Sequence, residues 1–247
     1  MVKIEHLTKI FKTGKGIHDI SFSFERGDIV GLIGDNGAGK STIIKTIFNE
    51  YSKDLGEIFV DDKEISRKDY KNMAFFPDQS IYPNNITIEE YCIYSGMLAD
   101  ISRKECKKRT LQLLNFLNLS AYKNKKFKVL SAGMQKRALL AITMISNPEI
   151  IVLDEPTANL DIKTRLEFME LLKELAADNK IILITSHIIN ELQGLINKLI
   201  IINEGTLIYD RYLNAEDDIT TIYKNATQKQ IDNFEIKKES LSSILGN

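Results

Sequence analysis

Between Gly34 and Thr42 the chain reads Gly-Asp-Asn-Gly-Ala-Gly-Lys-Ser-Thr, set between an apolar run, Ile29 to Ile33, and a helix-like segment that begins at Lys40. No other feature constrains the fold as much. Glycines at 34, 37 and 39, with Asp35, Asn36 and Ala38 between them, let successive backbone N–H groups converge on one point. There they meet the positive end of the following helix and form a socket for polyphosphate. In such a loop Lys40 reaches the β- and γ-phosphates, Ser41 holds Mg²⁺, and Thr42 completes the phosphate-binding stretch. A buried strand must therefore run straight into a helix, which is an α/β arrangement.

The 247 residues, 43% of them hydrophobic, suffice for one large α/β domain or two small ones. A formal charge of -1, from 33 basic and 34 acidic side chains, provides no bulk attraction toward nucleic acid or an anionic membrane, so no nucleic-acid partner is expected. Cys92 and Cys106 are too few for a disulfide framework or a zinc site, which fits a reducing compartment and a packing role. Lys3, Glu5, His6 and Lys9 interrupt the stretch from Met1 to Phe11, so export by an N-terminal signal is not expected. The strongest apolar stretch, Ala138 to Ile145, is far short of the ~20 residues that span a bilayer. Any membrane role must come through a partner.

Alternation at Val2 and Ile4 and again at Phe22 and Phe24, with the turn Arg26-Gly27-Asp28, predicts a small antiparallel layer first. Glu57 to Val60 followed by Asp61-Asp62-Lys63 reads as a further strand and turn. The apolar runs Ile150 to Leu153, Ile181 to Ile184 and Leu199 to Ile202 suit buried strands of a parallel sheet. Thr87 with Glu90, and Ser102 with Glu105, fit the capping-box spacing and predict a helical subdomain between about residues 80 and 146. Past Asp161, Leu166, Met169, Leu172 and Leu175 recur every three residues and predict an amphipathic helix packed on the core. The tail from Arg211 has scattered apolar residues, compatible with a docked helical extension or with partial disorder.

Two further motifs decide the class. Glu149 to Pro156 is an apolar strand ending in Asp154 and Glu155, where a phosphate-loop enzyme needs a carboxylate for its metal. Asp154 would orient Mg²⁺ through its water shell, and Glu155 would polarise the attacking water. About twenty residues earlier, Leu130-Ser131-Ala132-Gly133-Met134-Gln135-Lys136-Arg137 opens a helix-like run, with Ser131 suited to the N-cap. This stretch resembles the Leu-Ser-Gly-Gly-Gln signature of the ATP-binding-cassette (ABC) family, and the order of the three motifs matches that family's nucleotide-binding domain. The resemblance covers about residues 1 to 210 and leaves 211 to 247 as a C-terminal extension.

The resemblance implies a P-loop NTPase with a RecA-like parallel sheet core, an N-terminal antiparallel β layer and an inserted helical subdomain. It makes Phe11 the aromatic that stacks on adenine, places Ser131, Ala132, Gly133 and Met134 at the γ-phosphate, and gives His187 the role of the switch histidine. Ala158-Asn159-Leu160-Asp161 matches the loop that crosses the dimer interface. In Phe76-Pro77-Asp78-Gln79-Ser80, either Asp78 or Gln79 fills the family's glutamine position: chemistry favours Gln79, as nucleotide and metal contact, and spacing from Thr87 favours Asp78. The signature departs from the family at Ala132 for glycine and Met134 for glutamine, and a methyl at 132 narrows the approach of backbone to phosphate.

By the same resemblance the chain is an ATPase acting with Mg²⁺, paired head to tail with a second copy or a related subunit. It would sit in the cytoplasm on the inner membrane face through a transmembrane permease subunit, most like exporters. The rival within the family is a soluble ATPase acting on ribosomes or nucleic acid. A GTPase is disfavoured because Asn197-Lys198-Leu199-Ile200 lacks the aspartate of the guanine-reading Asn-Lys-x-Asp motif. A non-enzymatic interaction module is disfavoured because Lys40 and Glu155 are both intact.

Overall fold

Alternating burial makes the first strands. In the computed structural model, which describes residues 1–77, 85–158 and 160–228, β1 (Val2–Ile10) and β2 (Gly16–Phe24) bury Val2, Ile4, Phe22 and Phe24 on one face. They pair antiparallel, and with β4 (Leu55–Val60) and β5 (Lys63–Glu64) they complete a sheet ordered β2-β1-β4-β5. Asp61 and Asp62 turn between β4 and β5 with φ of 48° and 61°, the left-handed conformation that a two-residue hairpin requires.

The second sheet runs β10 (Thr206–Tyr212), β9 (Lys198–Asn203), β3 (Ile29–Ile33), β8 (Ile181–Ser186), β7 (Ile150–Asp154), β6 (Met73–Phe76). β9, β3, β8, β7 and β6 are parallel, and β10 returns antiparallel to β9. Both faces of the parallel strands are covered, which is why their sequences read as unbroken apolar runs. Val30, Leu32, Val152, Leu183 and Ile200 face the antiparallel layer and α1 (Lys40–Ile47). Their neighbours Ile33, Ile151, Leu153, Ile182 and Ile201 face the core shared with the other helices.

Those helices are α2 (Ile88–Leu98), α3 (Arg103–Phe116), α4 (Ala132–Met144), α5 (Ile162–Ala177), the single turn α6 (Ile189–Leu192), and residues 219–228. Thr87 and Glu90 form a complete capping box, with Glu90 N–H donating to Thr87 Oγ1 at 3.2 Å and Thr87 N–H to the Glu90 carboxylate at 2.9 Å. Ser102 makes half of one. Its hydroxyl accepts from Glu105 N–H, while the Glu105 carboxylate pairs with Arg109 one turn on. In α5 the expected stripe shifts: Leu166 is exposed, and Phe168 joins Met169 and Leu172 inside. Cys92 and Cys106 are both buried, and burial pushes the Cys92 thiol up to about 12, consistent with packing.

Register brings the functional ends together. Ile33 lies beside Ser186 and Asp154 beside Thr185, so the loops after β3, β7 and β8 leave the same edge of the sheet. β3 sits between β8 and β9, and the chain following it returns to the sheet at the far edge strand β6. Such a switch point opens a crevice at the carboxyl ends of the strands.

Candidate functional site

The loop after β3 enters α1 through Gly39, whose φ of 114° is a conformation that side chains resist. A Cβ there would also stand 2.7 Å from Ile17 Cγ2. α1 has no side-chain N-cap, so its leading N–H groups remain for an anionic ligand. Lys40 is buried and bends back over the loop, its Nζ donating to the carbonyls of Gly34 at 2.6 Å and Asp35 at 3.2 Å. Burial lowers its pKa, and the charges of Glu155, Asp154 and Asp35 act in the opposite direction. Three nearby carboxylates thus balance the desolvation of one ammonium.

At the end of β7 the chain turns through Glu155 at φ 47°, a left-handed conformation unusual outside glycine. Two contacts hold this turn. Thr185 Oγ1 accepts from Glu155 N–H at 3.0 Å and donates to Asp154 Oδ1 at 2.6 Å, so one hydroxyl fixes both acids. His187 Nδ1 lies 2.8 Å from Glu155 Oε2. An ionised carboxylate only accepts, so the ring nitrogen is the donor and Nε2 faces elsewhere.

Phe11, Asn36, Gly37, Gly39, Lys40, Ser41, Thr42, Asp154 and Glu155 line one open cavity, together with Lys15 and Gly16. Phe11 stands at this cavity edge-on to Tyr51, ring centroids 5.2 Å apart. Gly34, Asp35 and Ala38 belong to the loop without lining the cavity, and His187 reaches it through Glu155. Ser131, Ala132, Gly133 and Met134 do not line it either. They form the start of α4, where Ser131 Oγ accepts from Met134 N–H at 3.3 Å and Ser131 and Ala132 are exposed. Gly133 packs so closely on α5 that a Cβ would meet Thr164 Cγ2 at 2.6 Å. Asp78 and Gln79, the alternatives for the glutamine position, lie outside the described residues, as does Asn159 of the interface loop.

Sequence reading missed several residues of this region. Thr185 was hidden inside an apolar strand. Glu191 accepts from Thr157 Oγ1 at 2.6 Å and pairs with Arg165 at 2.5 Å, and Arg165 in turn donates to the Leu160 carbonyl at 3.2 Å. The segment after His187 is thereby tied to both sides of the loop that follows Glu155. Lys136 of α4 sits 5.2 Å over the Phe76 ring, and its Nζ is 3.5 Å from the Glu155 carbonyl.

Ser41 and Asp154 offer a hydroxyl and a carboxylate on the same cavity, which suits a hard cation such as Mg²⁺. Among the described residues no group of three His, Cys, Asp or Glu could hold a metal without help. A Mg²⁺ site that takes its remaining oxygens from nucleotide phosphates and water needs no such group. When bound, the ion would neutralise charge on the terminal phosphates.

A phosphate loop after a central parallel strand, paired acids at the end of a neighbouring strand and a Ser-capped helix carrying the signature define a P-loop ATPase cassette. The chain belongs to the ABC transporter family, whose model matches residues 17–158. It is 33% identical over 203 residues to the ABC transporter ATP-binding protein NatA of Bacillus subtilis, covering 80% of this chain and 82% of NatA. To the lantibiotic transport ATP-binding protein SrtF of Streptococcus pyogenes it is 29% identical over 226 residues, 91% of this chain and 96% of SrtF. Other curated relatives are far longer: the match spans 12% of the human phospholipid-transporting ATPase ABCA3. Among solved structures, a dimeric ATP-binding cassette in a post-hydrolysis state with ADP and Pi matches with a TM-score of 0.77 and 27% identity, covering 87% of this chain and 99% of that one. The chain is accordingly an ATP-binding ATPase of this family, and no helix among the described residues is long and apolar enough to cross a membrane.

Proposed function

We propose that this chain is the ATPase subunit of a membrane exporter, working as a head-to-tail pair in the cytoplasm against the inner face of the membrane, where a separate permease subunit holds it. One observation carries the pairing. The signature residues Ser131 to Met134 do not line the cavity that holds Lys40, Ser41 and Glu155, and Ser131 and Ala132 are exposed. A signature that belongs at the γ-phosphate therefore has to be supplied to this cavity by another cassette, either a second copy or a related subunit. In this reading Lys40 and the loop amides hold the phosphates, Phe11 meets adenine, and Ser41 and Asp154 hold Mg²⁺, joined by Gln79 if it fills the glutamine position. Glu155 polarises the attacking water and His187 senses the terminal phosphate.

Export is supported by the Phe76-Pro77-Asp78-Gln79-Ser80 stretch, which resembles stand-alone exporter ATPases, and by the match to SrtF over nearly its whole length. Two measurements test the reading. Light scattering of Glu155→Gln should show a dimer with Mg-ATP and a monomer without it. Affinity purification from detergent-solubilised membranes should recover a multi-span membrane protein; recovery with ribosomes instead would favour the soluble rival.

A further inference from the structure

The phosphate loop from Gly34 to Thr42 carries one acidic side chain, Asp35. A carboxylate here works against the loop's task, because its charge reaches the same Lys40 that faces the phosphates. Yet Asp35 does not line the phosphate cavity, although Asn36 and Gly37 beside it do.

The C-terminal segment supplies the restraint. After β10 the chain turns, and Leu213 N–H donates to the Asn197 carbonyl at 2.8 Å. The helix of residues 219–228 then docks through buried Ile219 and half-buried Ile222, Tyr223 and Ala226 on the core below the parallel sheet. Its first turn is pinned by Gln193, which accepts from Ile219 N–H at 3.0 Å and donates to the Asp217 carbonyl at 2.9 Å. Thr220 and Asn190 add a bond of 2.6 Å just beyond the switch histidine. From this fixed base Tyr223 Oη donates to Asp35 Oδ1 at 2.8 Å, joining positions 188 residues apart. Burial, with the adjacent Asp35 carboxylate, pushes the Tyr223 hydroxyl up to about 12, so it remains a donor throughout the neutral range.

We propose that Tyr223 is a positioning residue for nucleotide binding: its hydroxyl holds the Asp35 carboxylate outside the phosphate cavity and so sets the affinity of the loop for ATP. The inference rests on ATP occupying that loop. A tyrosine ring alone would serve for packing; the hydroxyl matters because it fixes where the negative charge lies. Without it, the exposed carboxylate can rotate toward the phosphates and repel them.

Binding of a fluorescent ATP analogue, steady-state ATP turnover and melting temperature should be measured for the wild type, Tyr223→Phe, Asp35→Asn and the double variant. Tyr223→Phe should weaken binding between about three- and tenfold, the scale of one partly screened hydrogen bond to a charged group. The loss should fall on KM for ATP more than on kcat. Asp35→Asn should bind at least as tightly as the wild type, and adding Tyr223→Phe to it should change binding by less than twofold. Equal affinity in the wild type and Tyr223→Phe overturns the inference, as does weakened binding by Asp35→Asn alone. An equal loss in both Asp35 backgrounds also overturns it and assigns the effect to helix packing. If Tyr223→Phe lowers the melting temperature too far to assay, the Asp35→Asn result decides. Failure of the wild type itself to bind overturns the nucleotide reading along with the inference.

Discussion

Glu155 Oε2 and His187 Nδ1 stand 2.8 Å apart, joining the carboxylate at the end of β7 to the histidine that follows β8. The two side chains act on one another before either acts on a substrate. Glu155→Gln should lower ATP turnover about 10²-fold or more while preserving ATP binding, because it removes the basic oxygen and leaves Lys40, Ser41 and Asp154 in place. In that background, His187→Ala should cost much less than it does in the wild type. Single-turnover and steady-state rates for the four proteins measure the coupling, and independent, multiplicative losses would show that His187 does not work through Glu155.

Thr185 anchors both acids, accepting from Glu155 N–H and donating to Asp154 Oδ1. Thr185→Val keeps the shape of the strand residue and removes both bonds. Because Glu155 turns at φ 47°, loss of its amide partner should loosen the conformation that aims the carboxylate. Turnover should fall about tenfold, and the Mg²⁺ concentration for half-maximal rate should rise, since Asp154 loses the hydroxyl that orients it. Unchanged Mg²⁺ dependence would limit Thr185 to packing.

What was legible in the sequence follows contact range. The phosphate loop, the paired acids and the signature are contiguous, and the central strands announce themselves as Val/Ile/Leu runs because both faces are covered. Met73–Phe76 is too short, and Thr206–Tyr212 too mixed, to stand out as strands in isolation. Thr185 looks like any strand residue until Asp154 is placed opposite it in register. The Glu191–Arg165 pair likewise joins two helices that no local pattern connects. For the C-terminal helix a signal was present: Ile219, Ile222, Tyr223 and Ala226 have the i, i+3, i+4, i+7 spacing of a docked face.

The capping box of α2 gives a pH dependence with a definite sign. Bonds from the Thr87 backbone and hydroxyl hold the Glu90 carboxyl below its ordinary value of 4.5. A depressed folded-state value means that the stabilisation is complete above the unfolded value and disappears as pH falls through the lower, folded one. Glu90→Gln should therefore melt earlier than the wild type at pH 7, and the two curves should converge as pH drops below the glutamate range. Thermal unfolding across pH 3 to 7 checks this, and a constant offset across the series would mean that the ionised carboxylate is not the source.

Gly133, in the signature, has a steric constraint within its own chain. A Cβ there would stand 2.6 Å from Thr164 Cγ2 on α5, closer than non-bonded carbons approach. Thr164 cannot rotate away without loss, because its Oγ1 donates to Asp161 Oδ2 at 2.7 Å in the N-cap of α5. Gly133→Ala should therefore destabilise the α4–α5 contact by about 1–3 kcal/mol, the usual range for overpacking. Thr164→Ser deletes the offending methyl and keeps the capping hydroxyl, so the double variant should regain most of the lost melting temperature. If stability returns in the double variant while ATP turnover stays low, the methyl at 133 also obstructs a surface that meets the other cassette. Recovery of both would confine the role of this glycine to packing signature helix α4 against α5.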